Sequence, residues 1–109
     1  MRFRFLAGQA GVPRAPTTAR VVCDGEHLFV AFDCDEPDMA RLTVAGKERD
    51  DPVWQGDTVE VFLDPRHRQA ADGYYHVAIN PGGVVMDTAG GDAKWNPRLR
   101  TATRRRADG

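Results

Sequence analysis

The chain has 109 residues, of which 41% are hydrophobic and 28% are charged, and its formal net charge is -1. This size allows one domain, residues 1-109, with a modest core, and the near-neutral charge excludes a dedicated polyanion-binding protein. No stretch contains the roughly 18 apolar residues of a membrane helix. We therefore expect neither nucleic acid nor a membrane as a partner.

The predicted elements begin with a strand from 2 to 6, in which charged residues alternate with Phe. A loop with two prolines follows, from 8 to 18. The segments 19–23 and 28–34 then predict a β-hairpin around Asp24-Gly25, which is a strong turn dipeptide.

The two cysteines of the chain flank this hairpin turn. Cys23 is expected to face the residue near 28, and Cys34 the residue near 17. The pair would then be several residues out of register and too far apart for a disulfide. We interpret both as small, half-buried apolar side chains.

The middle of the chain combines an apolar run with a long polar connection. Leu28–Phe32 is apolar throughout, which predicts a central strand buried on both faces. Residues 35–56 form the connection, with a short turn of helix or strand from 39 to 45. Connections of this length in a small domain are often functional.

The segment Trp54–Pro65 is the most informative of the chain. A lone Trp in a polar loop leads into a strand from 58 to 63, which stops at an Asp-Pro pair. Period-two alternation puts Glu60 and Phe62 on one face and three aliphatic residues on the other. Asp57 lies on the face opposite Glu60, so the two do not form the carboxylate pair of a glycosidase. We expect Asp57 either to cap the loop or to bind backbone amides at the strand start.

The last elements are a second hairpin and a basic end. Residues 74–80 alternate and stop at the turn 81–83, whose hairpin partner is 84–87. A loop from 88 to 97 precedes Arg98–Arg106, which has strand-like residues and is interpreted as a solvated edge strand.

Short strands separated by turn signals predict an all-β fold, an antiparallel sandwich of two sheets of jelly-roll or immunoglobulin-like type. Because the chain begins and ends inside predicted strands, we expect it to be a fragment of a longer domain.

Four stretches resemble the family 9 carbohydrate-binding modules, members of the DOMON-like β-sandwich superfamily. They are LFVAF followed by DEP within 28–37, WQGDTVEVFLDP at 54–65, GYYHVAINPGG at 73–83 and DAKWN at 92–96. The resemblance spans residues 28 to 96 and is most specific in the second stretch. It implies a two-sheet sandwich that binds plant or bacterial polysaccharides, or their oligosaccharides, without catalysis.

The resemblance also implies a carbohydrate-binding site. Trp54 matches a stacking Trp and Glu60 a hydroxyl-binding carboxylate. His76 stands where the family has a sugar-contacting Arg, and Ala78 where it has Asn. Trp95 either provides a further sugar contact or packs in the core.

The resemblance bears on cofactors and location as well. Some family members hold structural calcium, and Asp35 matches an Asp of that loop. The alternative is a solvated acidic loop without an ion; no other cofactor is expected. Family membership implies an extracellular or periplasmic protein, attached to the catalytic domain of a longer bacterial enzyme or acting alone. No signal peptide is visible in this chain.

Two other functions remain open. Some DOMON-like relatives bind haem through Met and His, and His76 with Met86 suggests such an electron-transfer module. The chain could also be a purely structural sandwich within a larger secreted enzyme. The sequence shows no phosphate loop, nucleophile elbow or catalytic triad, so we do not expect an enzyme.

Overall fold

The computed structural model describes residues 15–67, 73–90, 92 and 94–106. The strand predicted from 2 to 6 lies outside these residues. The chain divides into two compact units, one ending at Ala40 and one comprising Arg41–Ala107.

The first unit contains the predicted hairpin. Strands β1 (Thr17–Cys23) and β2 (Leu28–Cys34) pair antiparallel. Gly25 has φ +93°, which a residue with a side chain adopts with strain. The carboxylate of Asp24 accepts the backbone N–H groups of Glu26 and His27, at 3.0 and 2.8 Å. These bonds lower the pKa of Asp24 below its ordinary value of 3.8.

The register of this hairpin confirms the predicted separation of the cysteines. Cys23 pairs with Leu28, and Cys34 pairs with Thr17. Both thiols are free. The prediction of half-buried side chains is wrong, because both cysteines are exposed.

The prediction that Leu28–Phe32 is a central strand buried on both faces is also wrong. Within the described residues, β2 pairs with β1 alone. Leu28 is 49% exposed and Phe29 54%. An apolar run shows that a strand favours burial, but it does not specify what covers that strand.

The second unit contains a three-stranded antiparallel sheet in the order β3-β4-β5. The strands are β3 (Val59–Leu63), β4 (Tyr75–Ile79) and β5 (Val85–Ala89). Single 3₁₀ turns span Met39–Arg41 and Val53–Gln55. In β3 half-buried residues alternate with exposed ones, as predicted.

A small core packs against this sheet. Val53, at the start of the second 3₁₀ turn, has no exposed surface and clusters with Ala78 and Met86. Asn80, 1% exposed, follows β4 and begins the turn that leads to β5. Its amide Nδ2 donates to the carbonyl of Ala45 at 2.6 Å, which ties the polar connection to the sheet.

The strand predicted at Arg98–Arg106 does not form. These residues have no regular secondary structure and are exposed. Alternating Arg and Thr residues have strand propensity, but a strand also needs a neighbour to accept its backbone hydrogen bonds.

The described residues thus form an all-β chain with two antiparallel sheets, of two and three strands, which confirms the predicted class. No helix among them is long and apolar enough to cross a membrane.

Candidate functional site

The candidate site lies on one face of the three-stranded sheet. Glu60 is the cross-strand partner of Ala78, and Phe62 is the partner of His76. Side chains of paired residues point to the same face, and successive side chains point to opposite faces. We call this surface the Glu60 face. Its members are Glu60, Phe62, His76, Ala78, Met86 and Thr88.

A carboxylate and an imidazole meet at the centre of this face. Nε2 of His76 and Oε2 of Glu60 are 2.7 Å apart. The side chain of His76 is 16% exposed and that of Glu60 35%. The described residues offer no partner to the second oxygen of Glu60, Oε1. The pair therefore combines a held imidazole with a carboxylate oxygen that can accept a hydrogen bond from a ligand.

Aromatic rings continue the face beyond this pair. The ring of Phe62 stacks on that of His76, with centroids 4.1 Å apart and planes 8° apart. Tyr74 contacts Phe62 at 5.9 Å between centroids, with a tilt of 47°. Phe62 nonetheless remains 61% exposed. Neither Phe62 nor Tyr74 was among the predicted site residues, although the alternation of β3 placed Phe62 on the Glu60 face.

The 3₁₀ turn that contains Trp54 packs at the other end of the same face. Val53 of this turn packs on Ala78 and Met86. Val53 anchors this turn, while Trp54 is 56% exposed. Glu60 pairs with Ala78 and so adjoins this end of the face. The structure thus brings Glu60 and His76 together, and it packs the turn that contains Trp54 on the same face through Val53.

Trp95 lies elsewhere. Its ring contacts that of Tyr75, with centroids 4.9 Å apart. Tyr75 is the partner of Leu63, so it belongs to the opposite face of the sheet, the Val61 face. The structure therefore does not bring Trp95 to the Glu60–His76 pair. Trp95 belongs to a loop, where side chains do not alternate between faces. The sequence therefore could not predict on which face of the sheet Trp95 packs.

The structure shows no calcium-binding cluster at Asp35 within the described residues. Asp35 is exposed, and its backbone N–H donates to the carbonyl of Pro16 at 3.0 Å. The carboxylate of Asp50 accepts the N–H of Asp87 at 3.3 Å. Within the described ranges, no group of three or more His, Cys, Asp or Glu side chains could hold a metal ion. A calcium site at Asp35 stays a prediction.

The prediction that the Asp57 carboxylate binds a backbone amide is confirmed, but the amide is that of Thr43 in the polar connection and not one at the strand start. Its Oδ2 accepts the backbone N–H of Thr43 at 2.7 Å, and its own N–H donates to the carbonyl of Thr43 at 2.7 Å. These bonds hold the polar connection beside the start of β3. Asp57 thus has a structural role next to the site, and its carboxylate is not paired with Glu60.

Two further carboxylates hold the loop that precedes Trp54. The pKa of Asp51 lies below its ordinary value of 3.8, because the N–H groups of Lys47 and Glu48 donate to its Oδ2. The guanidinium of Arg49 donates to both oxygens of Asp87, which raises the pKa of Arg49. These bonds fix the chain that leads to Trp54.

A pocket lies beside Tyr74, where β4 begins and β5 ends. Tyr74 and Arg66 are among its lining residues, and its volume is about 220 Å³. Tyr74 also contacts Phe62, so one lining residue of the pocket touches the aromatic rings of the Glu60 face.

No protein-family model, curated protein or solved structure matches this chain. The chain is therefore assigned to no family, and the resemblance to the family 9 modules stays a prediction.

Proposed function

We propose that this chain is a non-catalytic carbohydrate-binding domain whose site is the Glu60 face. The observation that carries the proposal is the Glu60–His76 pair, which lies beside the exposed ring of Phe62 on a strand-built surface. Polar groups flanked by aromatic rings suit a sugar, which presents hydroxyls at its rim and C–H groups on its ring faces.

Glu60 and His76 divide the polar recognition. Oε1 of Glu60 accepts a sugar hydroxyl, while Oε2 holds the imidazole of His76 in place. A pair fixed before binding loses less side-chain entropy when the ligand arrives. A hydrogen bond to a charged group contributes about 1.5 to 3 kcal/mol, so Glu60 is the main polar determinant.

Trp54 supplies apolar contact at one end of the site. Its ring is 56% exposed, while the buried Val53 beside it anchors the 3₁₀ turn. Stacking is worth on the order of 1 kcal/mol beyond the buried area. We expect single-site affinity to be weak, so that several sites acting together would bind a polymer better.

The domain would serve as an accessory module of a secreted polysaccharide-degrading enzyme, or as a separate sugar-binding protein, outside the cytoplasm. Calcium at Asp35 is a further proposal, tested by a change in thermal stability on calcium addition.

The test is affinity electrophoresis of the chain against a panel of neutral polysaccharides, followed by calorimetry with oligosaccharides of the best one. We expect Glu60→Gln to weaken binding by about tenfold or more, and His76→Ala and Trp54→Ala each by about tenfold or less. Two matched controls should bind as the wild type does. His27→Ala removes an exposed His that is 3.6 Å from Asp24 on the hairpin, and Trp95→Ala removes a Trp on the Val61 face. Wild-type protein that binds no polysaccharide would refute the proposal.

The haem-binding alternative is less well supported. His76 and Met86 do lie on the same face. However, Met86 is only 7% exposed and packs with Val53, and Nε2 of His76 is held by Glu60. A Soret band on haem titration, lost in Met86→Leu, would support this alternative. A purely structural sandwich predicts a buried Trp54, whereas this side chain is exposed.

A further inference from the structure

We infer that Phe62 is the second stacking residue of the site, and that it holds a neutral pyranose at the edge of β3 that faces away from β4. This inference rests on the proposed function and specifies where the sugar lies and which class of sugar is preferred.

The orientation of the Phe62 ring follows from its neighbour. Phe62 and His76 are cross-strand partners, and their rings are parallel at 4.1 Å. Adjacent strands are about 4.8 Å apart, so the two rings stand side by side above the sheet. His76 thus covers the ring face of Phe62 that points toward β4. The other ring face points away from β4, over the outer edge of β3.

That outer ring face is accessible. Phe62 is 61% exposed although His76 and Tyr74 both contact it. Within the described residues β3 pairs with β4 alone, and Thr43 meets the chain at Asp57, before the strand begins. A ring in this position offers a flat apolar surface of the kind that stacks on a pyranose.

The ring is also held in place before any ligand binds. Glu60 fixes His76 through Nε2, and His76 supports Phe62 through stacking. Tyr74 limits the movement of Phe62 from the same side. An aromatic side chain has few rotatable bonds, so holding it in advance lowers the entropy lost on binding.

Glu60 determines the class of sugar. It lies two residues before Phe62 on the same face of the same strand, so a pyranose stacked on Phe62 would present hydroxyls to Oε1. The carboxylate accepts hydroxyl hydrogen bonds and repels a uronate. The expected ligand is therefore a neutral pyranose whose hydroxyls are mostly equatorial, because such a ring has flat C–H faces.

The test compares Phe62 variants by calorimetry with cellohexaose, xylohexaose and a galacturonan hexamer. With the neutral hexamer that the wild type binds best, Phe62→Ala should weaken binding about tenfold. Phe62→Trp should bind at least as well as the wild type. Phe62→Leu should weaken binding several-fold, because Leu keeps apolar area without a flat ring. Phe29→Ala is the matched control, since Phe29 is 54% exposed on the other sheet, and it should bind like the wild type. Near-ultraviolet circular dichroism confirms folding of each variant.

The outcomes separate this inference from the proposed function. Wild-type binding that is unchanged in Phe62→Ala refutes the role of Phe62 and leaves the proposed function standing. Tighter binding of the galacturonan hexamer than of the neutral hexamers refutes the ligand class. Wild-type protein that binds none of the polysaccharide panel refutes both proposals.

Discussion

The guanidinium of Arg49 donates hydrogen bonds to both carboxylate oxygens of Asp87, whose side chain has no exposed surface. This ion pair joins the polar connection to β5, and Arg49 also donates to the carbonyl of Pro97 at 3.3 Å. The side chain of Arg49 keeps 41% exposure, so only one member of the pair is fully removed from water.

We expect substitution of Arg49 and substitution of Asp87 to lower the free energy of unfolding by different amounts. Arg49→Met leaves a buried carboxylate unpaired and should lower the free energy of unfolding by about 2 to 3 kcal/mol, less than for a pair buried on both sides. Asp87→Ala leaves a guanidinium that water can reach, and should cost about 1 to 2 kcal/mol. Urea unfolding followed by Trp fluorescence measures both. The double variant should lose less unfolding free energy than the two single variants lose in sum. Strictly additive losses would contradict a direct interaction between the two side chains.

The lowered pKa of Asp51 makes its contribution to stability depend on pH. A carboxylate whose pKa is lower in the folded state stabilises the fold above its ordinary pKa, and this stabilisation is lost as pH falls through the folded value. The difference in unfolding free energy between wild type and Asp51→Ala should be full at pH 6 and should shrink below its ordinary pKa of 3.8. Asp38→Ala, at an exposed position of the first unit, is the control. A difference that grows on acidification would contradict this role.

Asn80 should be among the most sensitive positions of the sheet. Its Oδ1 accepts the N–H groups of Gly82 and Val84, and its Nδ2 donates to Ala45. Asn80→Ala should lower the unfolding free energy by about 2 to 3 kcal/mol, because it removes three part-buried hydrogen bonds at once. Asn80→Asp keeps the acceptor and loses the donor, so it separates the turn from the link to Ala45. Thermal melts of each variant measure these effects. Asn96→Ala is the control and should change stability little, because Asn96 makes one exposed hydrogen bond, to the carbonyl of Lys94 at 3.3 Å.

The cysteines should behave as two independent surface thiols. Cys23 and Cys34 lie at opposite ends of the hairpin and are both exposed. Both should react with Ellman's reagent in the folded protein. Mild oxidation should give intermolecular dimers on non-reducing gels and no disulfide within a chain. An internal Cys23–Cys34 disulfide with native circular dichroism would contradict the observed register.

Local patterns predicted the local structure well. The turn residues Asp24-Gly25 set the hairpin register, and the alternation of β3 correctly placed Glu60 and Phe62 on one face. Each of these features depends on residues close in sequence, where backbone geometry determines the outcome.

Contacts between distant residues were less predictable. The exposure of β2, the missing strand at Arg98–Arg106 and the position of Trp95 against Tyr75 all depend on which segments meet. Asn80 reaches Ala45 across the chain, and nothing in either local pattern identifies the other partner. The site was therefore predicted in part: Glu60 and His76 as polar groups, without the stacked ring of Phe62.

Glu60 is the sole charged residue of β3, a strand with an open side in the described part of the chain. Charges on such strands discourage pairing between copies of a protein, which would otherwise extend the sheet and lead to aggregates. Neutralising this carboxylate thus removes a safeguard for solubility together with the proposed ligand contact. Samples of Glu60→Gln need size-exclusion chromatography before their affinities are compared, because hidden self-association would imitate a loss of sugar binding.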